Sequence, residues 1–417
     1  MNTTSSPRTA QRGPLLMILV VVVIILGVAL YFVVGPGPMS FSKGRKVDIA
    51  DYRMANPSGV PAALAQASLI KKGEYLAKAA DCRVCHTAKG GESYAGGFAF
   101  VLPFGTLYST NITPDKATGI GNYTDAQFLA ALHRGVRQDG AKLYPAMPYT
   151  SYTYMTDADA LAIKAYLFSL APVEATKRPN TLAFPFNQRW AMGLWSALFN
   201  ANERFKPDTE RSAEWNRGAY VAEALAHCGE CHTPRNLAFA LNNRKKFGGA
   251  LTAGWRAYNI SADKDSGVGA WHDEELLAYL TRGHAAGHGS AGGPMGEAVD
   301  ESFSQLAAED IHAILAYLRS IPPSVSPDLP TTLAPAAPDS HKEGRATADS
   351  RGKQVYEGAC VSCHGWSGAS DISESATLTG ARAVNDPHGT NVAQIVLAGM
   401  KRSSPEEVTE MPGFGAA

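Results

Sequence analysis

Cys82-Arg-Val-Cys85-His86 is the stretch on which the reading of this chain turns, because it occurs three times: again as Cys228-Gly-Glu-Cys231-His232 and as Cys360-Val-Ser-Cys363-His364. The chain has 6 cysteines, and the three copies use all of them. Cys-x-x-Cys-His is the attachment signature of a c-type haem. If each copy begins a helix, two thiols three positions apart share a face and can form thioethers with the haem vinyls, while the adjoining histidine sits under the iron. A zinc site usually needs four ligands, and each copy offers at most three without a matching second pair. A thioredoxin-type motif calls for a single Cys-x-x-Cys beside a βαβ pattern. Neither alternative explains three copies.

Working outward, most of the chain from residue 69 to 321 is an internal repeat. Asn111-Ile112 matches Asn259-Ile260, Asp115 matches Asp263, and Gly119-Ile-Gly121 matches Gly267-Val-Gly269. Arg134-Gly135 likewise matches Arg282-Gly283, and Met147 matches Met295. Each copy opens with a Gly-x-Tyr segment, Gly73-Glu-Tyr75 or Gly218-Ala-Tyr220. Helical apolar spacing follows an acidic start at Asp125 to Leu132 and at Asp273 to Leu280, and closing helices are expected at Asp159 to Leu170 and Asp310 to Ile321. The fold expected is mainly α, with a helical shell around each flat cofactor.

A methionine thioether is a soft sixth ligand that raises the potential of a haem relative to a second histidine. Met147 and Met295 are the matching pair, each beside a proline. Met155 competes with Met147, while His284 and His288 compete with Met295. In the last unit Met411 is the choice, with Met400 and His388 as rivals. The expected site residues are therefore Cys82, Cys85, Cys228, Cys231, Cys360 and Cys363 for attachment. The iron ligands are His86, Met147, His232, Met295, His364 and Met411.

Leu15 to Val34 is a run of 20 apolar residues, about the length that spans a hydrocarbon core as a helix. A cleaved signal peptide is the rival, but its apolar stretch is shorter and ends at a small-residue cleavage site, whereas Gly35-Pro-Gly-Pro38 follows here. Haem attachment of this kind takes place outside the bacterial cytoplasm. The expected layout is thus a cytoplasmic tail (1–14), a transmembrane anchor (15–34) and a juxtamembrane linker (35–68). Haem domain 1 (69–172), an aromatic connecting segment (173–212) and haem domain 2 (213–321) follow. A Pro/Ala-rich linker (322–345), with six prolines between Pro322 and Pro338, leads to haem domain 3 (346–417), which lacks a closing helix. In the connecting segment Trp190, Leu194, Trp195 and Leu198 are spaced to share one helical face. That face rests on lipid headgroups, docks a partner, or packs between the repeated domains. Lysine plus arginine equal aspartate plus glutamate, 38 against 38, which implies no polyanion-binding surface and no nucleic-acid partner.

Ser93-Tyr-Ala-Gly-Gly97, Tyr108-Ser-Thr-Asn-Ile-Thr-Pro-Asp115, Gly119-Ile-Gly121-x-Tyr123 and Leu143-Tyr-Pro-Ala-Met-Pro148 carry a more specific likeness. From about Leu69 onward the chain resembles the three-haem cytochrome c subunits of membrane-bound periplasmic dehydrogenases of acetic acid bacteria and their relatives. The resemblance implies three covalently bound haems, each with a distal methionine. It implies a catalytic partner of alcohol, aldehyde, gluconate or sorbitol type, and electron delivery to membrane ubiquinone. The retained apolar stretch leans towards an aldehyde dehydrogenase with molybdopterin and iron–sulfur subunits; quinoprotein or flavoprotein partners are the alternatives. Family members commonly carry a cleaved signal peptide and finish with a terminal helix, and this chain departs on both points. A haem peroxidase and a terminal-oxidase cytochrome subunit are rival readings, disfavoured by a methionine candidate in every unit and by the family words.

Overall fold

The computed structural model describes residues 12–37, 40–326, 350–403 and 408–415. Most of the expected cytoplasmic tail, and the Pro/Ala-rich linker beyond residue 326, lie outside these residues. Helix α1 (Arg12–Val34) coincides with the apolar run. Its described side chains, Leu16 to Tyr31, are almost all large, apolar and exposed. Among the described residues no helix is long and apolar enough to cross a membrane.

The first repeat contains α2 (Leu69–Ala79), α3 (Cys82–Cys85), α4 (Asp125–Arg134), α5 (Tyr149–Tyr152) and α6 (Asp157–Ser169). After α7 (Ala191–Phe199) the second contains α8 (Ala213–Tyr220), α9 (Gly229–His232), α10 (Asp273–Arg282), α11 (Gly293–Glu301) and α12 (Ala308–Arg319). The third unit has α13 (Ser350–Ala359), α14 (Val361–His364), α15 (Arg382–Asn385) and α16 (Thr390–Ala398). Among the described residues four antiparallel strand pairs, which apolar periodicity does not announce, complete the shell. They are β1 (Ala99–Leu102) with β2 (Gly105–Tyr108), β3 (Ala250–Thr252) with β4 (Trp255–Ala257), β5 (His284–Ala285) with β6 (Gly289–Ser290), and β7 (Met400–Ser403) with β8 (Val408–Met411).

Local chemistry sets the helix ends where the sequence places them. Thr124 and Gln127 form a reciprocal capping box at the start of α4. Gly135 and Gly283 end α4 and α10 in left-handed conformation, with φ of 57° and 70°. The Gly-x-Tyr words have two separate purposes. A Cβ on Gly73 would lie 1.8 Å from the Ala162 carbonyl oxygen, and one on Gly218 would lie 1.8 Å from that of Ala313. In both repeats the opening helix therefore crosses the closing helix at backbone contact, α2 on α6 and α8 on α12.

The tyrosines join the two repeats to each other. Tyr75 donates to Asp310 Oδ2 at 2.6 Å and accepts from Ala307 N at 3.1 Å. Tyr220 donates to Asp159 Oδ2 at 2.5 Å and accepts from Thr156 N at 3.1 Å. Each repeat thus sends the same hydroxyl to the same helix start of the other, an approximate two-fold arrangement. The chain from residue 40 to 62 lies across this junction: Arg217 donates to the carbonyls of Pro57 and Gly59, and Gly59 N donates to Asp159. The expected linker at 35–68 is therefore packed structure over much of its length.

The copies differ in length at three places, the last lying between Met147/Met295, offset by 295 − 147 = 148, and Thr156/Ala307, offset by 307 − 156 = 151. Gly73 and Gly218 are offset by 218 − 73 = 145, and His86 and His232 by 232 − 86 = 146. The added residue is taken up by a π-helical turn, Val221–Leu225, just before Cys228.

Candidate functional site

Each Cys-x-x-Cys-His motif falls on a short helical turn, as its spacing predicts. The histidine then meets a backbone carbonyl returned by the following loop. His86 Nδ1 lies 2.7 Å from Thr110 O, His232 Nδ1 2.6 Å from Tyr258 O, and His364 Nδ1 2.5 Å from Ala376 O. A carbonyl can only accept, so in all three histidines Nδ1 carries the proton and Nε2 keeps its lone pair for a metal. Such an outer partner also fixes the ring orientation of a ligand. The loop from His to carbonyl spans 24 residues in the first unit, 26 in the second and 12 in the third. The first two loops contain the β1–β2 and β3–β4 hairpins, and their difference is the second place where the repeats diverge.

Burial lowers the pKa of His86 and His232 and so keeps both imidazoles neutral. The thiols are pushed the opposite way, Cys82 and Cys228 to about 12 and Cys231 to about 11, with burial as the main cause in each. Thiols this far from ionisation are poor candidates for free thiolate chemistry.

The first site opens into a cavity of about 530 Å3 lined by Cys82, Cys85, His86, Leu132, Met147 and Met155, among others. Apolar walls of Phe128, Ile163 and Leu167 match a flat hydrophobic ring system. At its edge Arg137, Lys177, Arg178 and Arg189 converge. The Lys177 pKa is lowered chiefly by the Arg137 charge, then by burial and Arg189, and Asp139, paired with Arg137 at 2.8 Å, offsets only part of that positive charge. The two propionates of a haem would complement the remaining positive charge of four basic side chains facing one carboxylate. The residues present thus fit haem c. Sequence reasoning missed this basic edge, although the adjacent pair Lys177-Arg178 is visible there.

Met147 and Met155 both line this cavity. Thr156 and Ala307 hold equivalent places at the two tyrosine clasps, so Met155, one residue earlier, corresponds to Leu306. Met155 is fully buried and has an aliphatic counterpart, as core filler would. Met147 corresponds to Met295, which lies in the first turn of α11 and packs against the same core. Of the rivals to Met295, His284 Nδ1 is 2.9 Å from Ser290 Oγ. His288 stacks on Trp271 at 3.6 Å and pairs with Glu275 at 3.2 Å. His288 is thus packed within the turn between β5 and β6.

In the third unit Met411 and Met400 are directly opposed across the β7–β8 hairpin. His388 is exposed and lies away from that pair in sequence and secondary structure. Cys363 is exposed, unlike the other five thiols, so this site is the most open of the three.

The first two sites share a boundary. Helix α3 packs on α11, which carries Met295, and α5, just after Met147, packs on the π turn before Cys228. Arg83 and Glu301 form an ion pair across the first of these contacts, and Tyr152 meets the His227 ring at 5.4 Å across the second. Asp81 and His227, each just before the first cysteine of its motif, are both left-handed, with φ of 52° and 40°. Burial, followed by the charges of Glu297 and Glu301, raises the Asp81 carboxyl to about 7. Glu230 is buried at the same boundary, bonded to Arg235, Thr150 and Ser151.

Comparison with known proteins adds the following. The cytochrome c family model matches residues 70–171. The chain is 39% identical to the fructose dehydrogenase cytochrome subunit of Gluconobacter japonicus, over 87% of this chain and 77% of that protein. It is 41% identical to a nicotinate dehydrogenase subunit of Pseudomonas putida, over 84% of this chain and 29% of that longer protein. It is 37% identical to the gluconate 2-dehydrogenase cytochrome c subunit of Pantoea cypripedii, over 84% of this chain and 81% of that protein.

Proposed function

Because this chain belongs to the family of dehydrogenase cytochrome c subunits, we propose that it is the electron-transfer subunit of a membrane-bound dehydrogenase complex, holding three c-type haems and delivering electrons to membrane ubiquinone. The observation that carries this reading is the threefold recurrence of a histidine whose Nδ1 is committed to a backbone carbonyl beside two cysteines. Bound haem supplies reversible one-electron chemistry.

The chain's own residues have definable tasks in this scheme. Cys82 and Cys85, with their counterparts at 228, 231, 360 and 363, tether the groups. His86, His232 and His364 would hold the iron through Nε2, and Met147, Met295 and Met411 would supply the second ligand. Arg137, Lys177, Arg178 and Arg189 would bind the propionates of the first haem. The contacts of α3 with α11 and of α5 with the π turn support close passage between the first two sites. Oxidation of the organic substrate is assigned to a catalytic partner subunit.

The membrane assignment rests on α1 and its exposed apolar side chains, with the haem units on the periplasmic side of the bacterial inner membrane. The relatives' names speak of fructose, nicotinate and gluconate, and none of these three speaks of an aldehyde. The lean towards an aldehyde dehydrogenase therefore rests on the apolar amino-terminal helix alone.

The test is to purify the full chain from membranes of a host with haem-attachment machinery. Intact-mass measurement is expected to show three attached haems, and His86→Ala to perturb the first site alone. Mixed with a dehydrogenase of this class and its substrate, the haems are expected to be reduced, and then reoxidised by a ubiquinone analogue. Unmodified cysteines, or haems inert to both dehydrogenase and quinone, would refute the proposal.

A further inference from the structure

Helix α7 and the loop that follows the second haem motif build one apolar surface. Phe104 stacks on Phe186 at 3.9 Å and meets Phe239 edge-on at 5.5 Å. Trp195 Nε1 donates to Ala238 O at 2.7 Å, between Leu237 and Phe239 in sequence. These contacts leave Phe184, Trp190, Leu194, Leu198, Leu237 and Phe239 exposed together, with Trp190 at 71% and Leu237 at 81% of full accessibility. Trp190, Leu194 and Leu198 follow at four-residue intervals and share one helix face.

This surface adjoins the exit of α1. Asn243 N donates to Pro36 O at 2.5 Å, and Arg244 Nη1 donates to Gly35 O at 2.8 Å. The end of the apolar helix is thus pinned to residues 243 and 244. Asn243 lies four positions after Phe239, a reach of at most about 14 Å of extended chain. Arg244 and Lys245 at the pinning point are exposed. Aromatic rings bordered by basic side chains, next to the end of an apolar helix, have the composition of a bilayer–water boundary.

We infer that the face formed by Phe184, Trp190, Leu194, Leu198, Leu237 and Phe239 lies in the headgroup region of the bilayer that holds α1, and so fixes how the haem domains sit on the membrane. The inference rests on the reading of α1 as the membrane anchor. The occupant is lipid, and the continuity of the surface with the helix exit is what distinguishes it from a docked dehydrogenase.

The experiment places the full holoprotein in bilayer nanodiscs containing a photoactivatable phospholipid, followed by proteolysis and mass spectrometry of the labelled peptides. Peptides from 184–198 and 237–239 are expected to be labelled several-fold above the peptide carrying Trp366, an exposed aromatic residue of the third unit. The variant Leu194→Glu with Leu198→Glu is expected to lower that labelling several-fold while the haem spectrum and the labelling of α1 stay unchanged. Labelling of α1 with the patch at the Trp366 background overturns the inference and leaves the anchor standing. Absence of label on α1 overturns both. Labelling of the patch that disappears when a dehydrogenase is added identifies a partner surface and also overturns the inference.

Discussion

At the scale of single residues, buried titratable groups are placed so that acid works against the fold. His133 is 2% exposed, lies at the end of α4 and sits 3.6 Å from Asp157. Burial, and then the Arg204 charge, lowers its pKa from 6.5 to about 4. A histidine held neutral in the fold but free to charge when unfolded contributes stability that is complete above pH 6.5 and is lost as the pH falls through about 4. His133→Gln is therefore expected to flatten the fall of stability between those two values, as followed by denaturant melts at a series of pH values. An unchanged slope would show that other groups govern the acid limb. Glu230 works in the same direction at lower pH: burial opposes its charge, but Arg235 and its hydrogen bonds bring the net pKa below the ordinary carboxylate value.

At the scale of elements, the helix crossings set the tolerance to change. Gly73 and Gly218 each meet a carbonyl oxygen where a methyl group would lie. Gly73→Ala and Gly218→Ala are expected to cost about 1–3 kcal/mol each, by forcing the crossing helices apart. A methyl group on Gly193 in α7 would meet nothing within 4 Å, so Gly193→Ala is expected to be neutral or to stabilise by up to about 1 kcal/mol. Thermal unfolding of the three variants checks the contrast. The same element shows where periodicity misleads. Spacing groups Trp195 with Trp190, Leu194 and Leu198, yet it is half-buried against Tyr149 and Phe199 while the other three face outward. A step of one residue turns a helix by about a quarter of a circle, and whether the displaced ring finds a neighbour depends on the body beside it.

At the scale of the whole molecule, the third unit is held to the second by side chains crossing their boundary. Arg402 is buried and donates to the carbonyls of Arg282, Ala291 and Gly296, and pairs with Asp300 at 3.0 Å. Asp386 reaches Arg256 at 3.2 Å and Tyr258 at 3.3 Å, beside the carbonyl that orients His232. Removing one partner of a buried charge network costs about 3–5 kcal/mol. Arg402→Ala is expected to speed hydrogen exchange throughout 350–403 while leaving α2 and α6 unchanged. Exchange that rises equally in all three units would instead point to global destabilisation. The clasp between the first two units is reciprocal, so Tyr75→Phe and Tyr220→Phe are expected to weaken it by similar amounts, about 1–3 kcal/mol each.

The sequence by itself determined the attachment motifs, the repeat and the helices, because each is written in local spacing: thiols three apart, a histidine beside the second, apolar residues at helical intervals. It also placed Met147 against Met295, since the offset of a repeat needs no coordinates. The carbonyls of Thr110, Tyr258 and Ala376, the basic rim drawn from residues 137 to 189, and the clasps of Tyr75 on Asp310 and Tyr220 on Asp159 were decided by tertiary structure. These join positions up to 235 residues apart, between groups whose types are common everywhere in the chain. Only the folded backbone brings such groups within hydrogen-bond reach, so no local pattern could carry them.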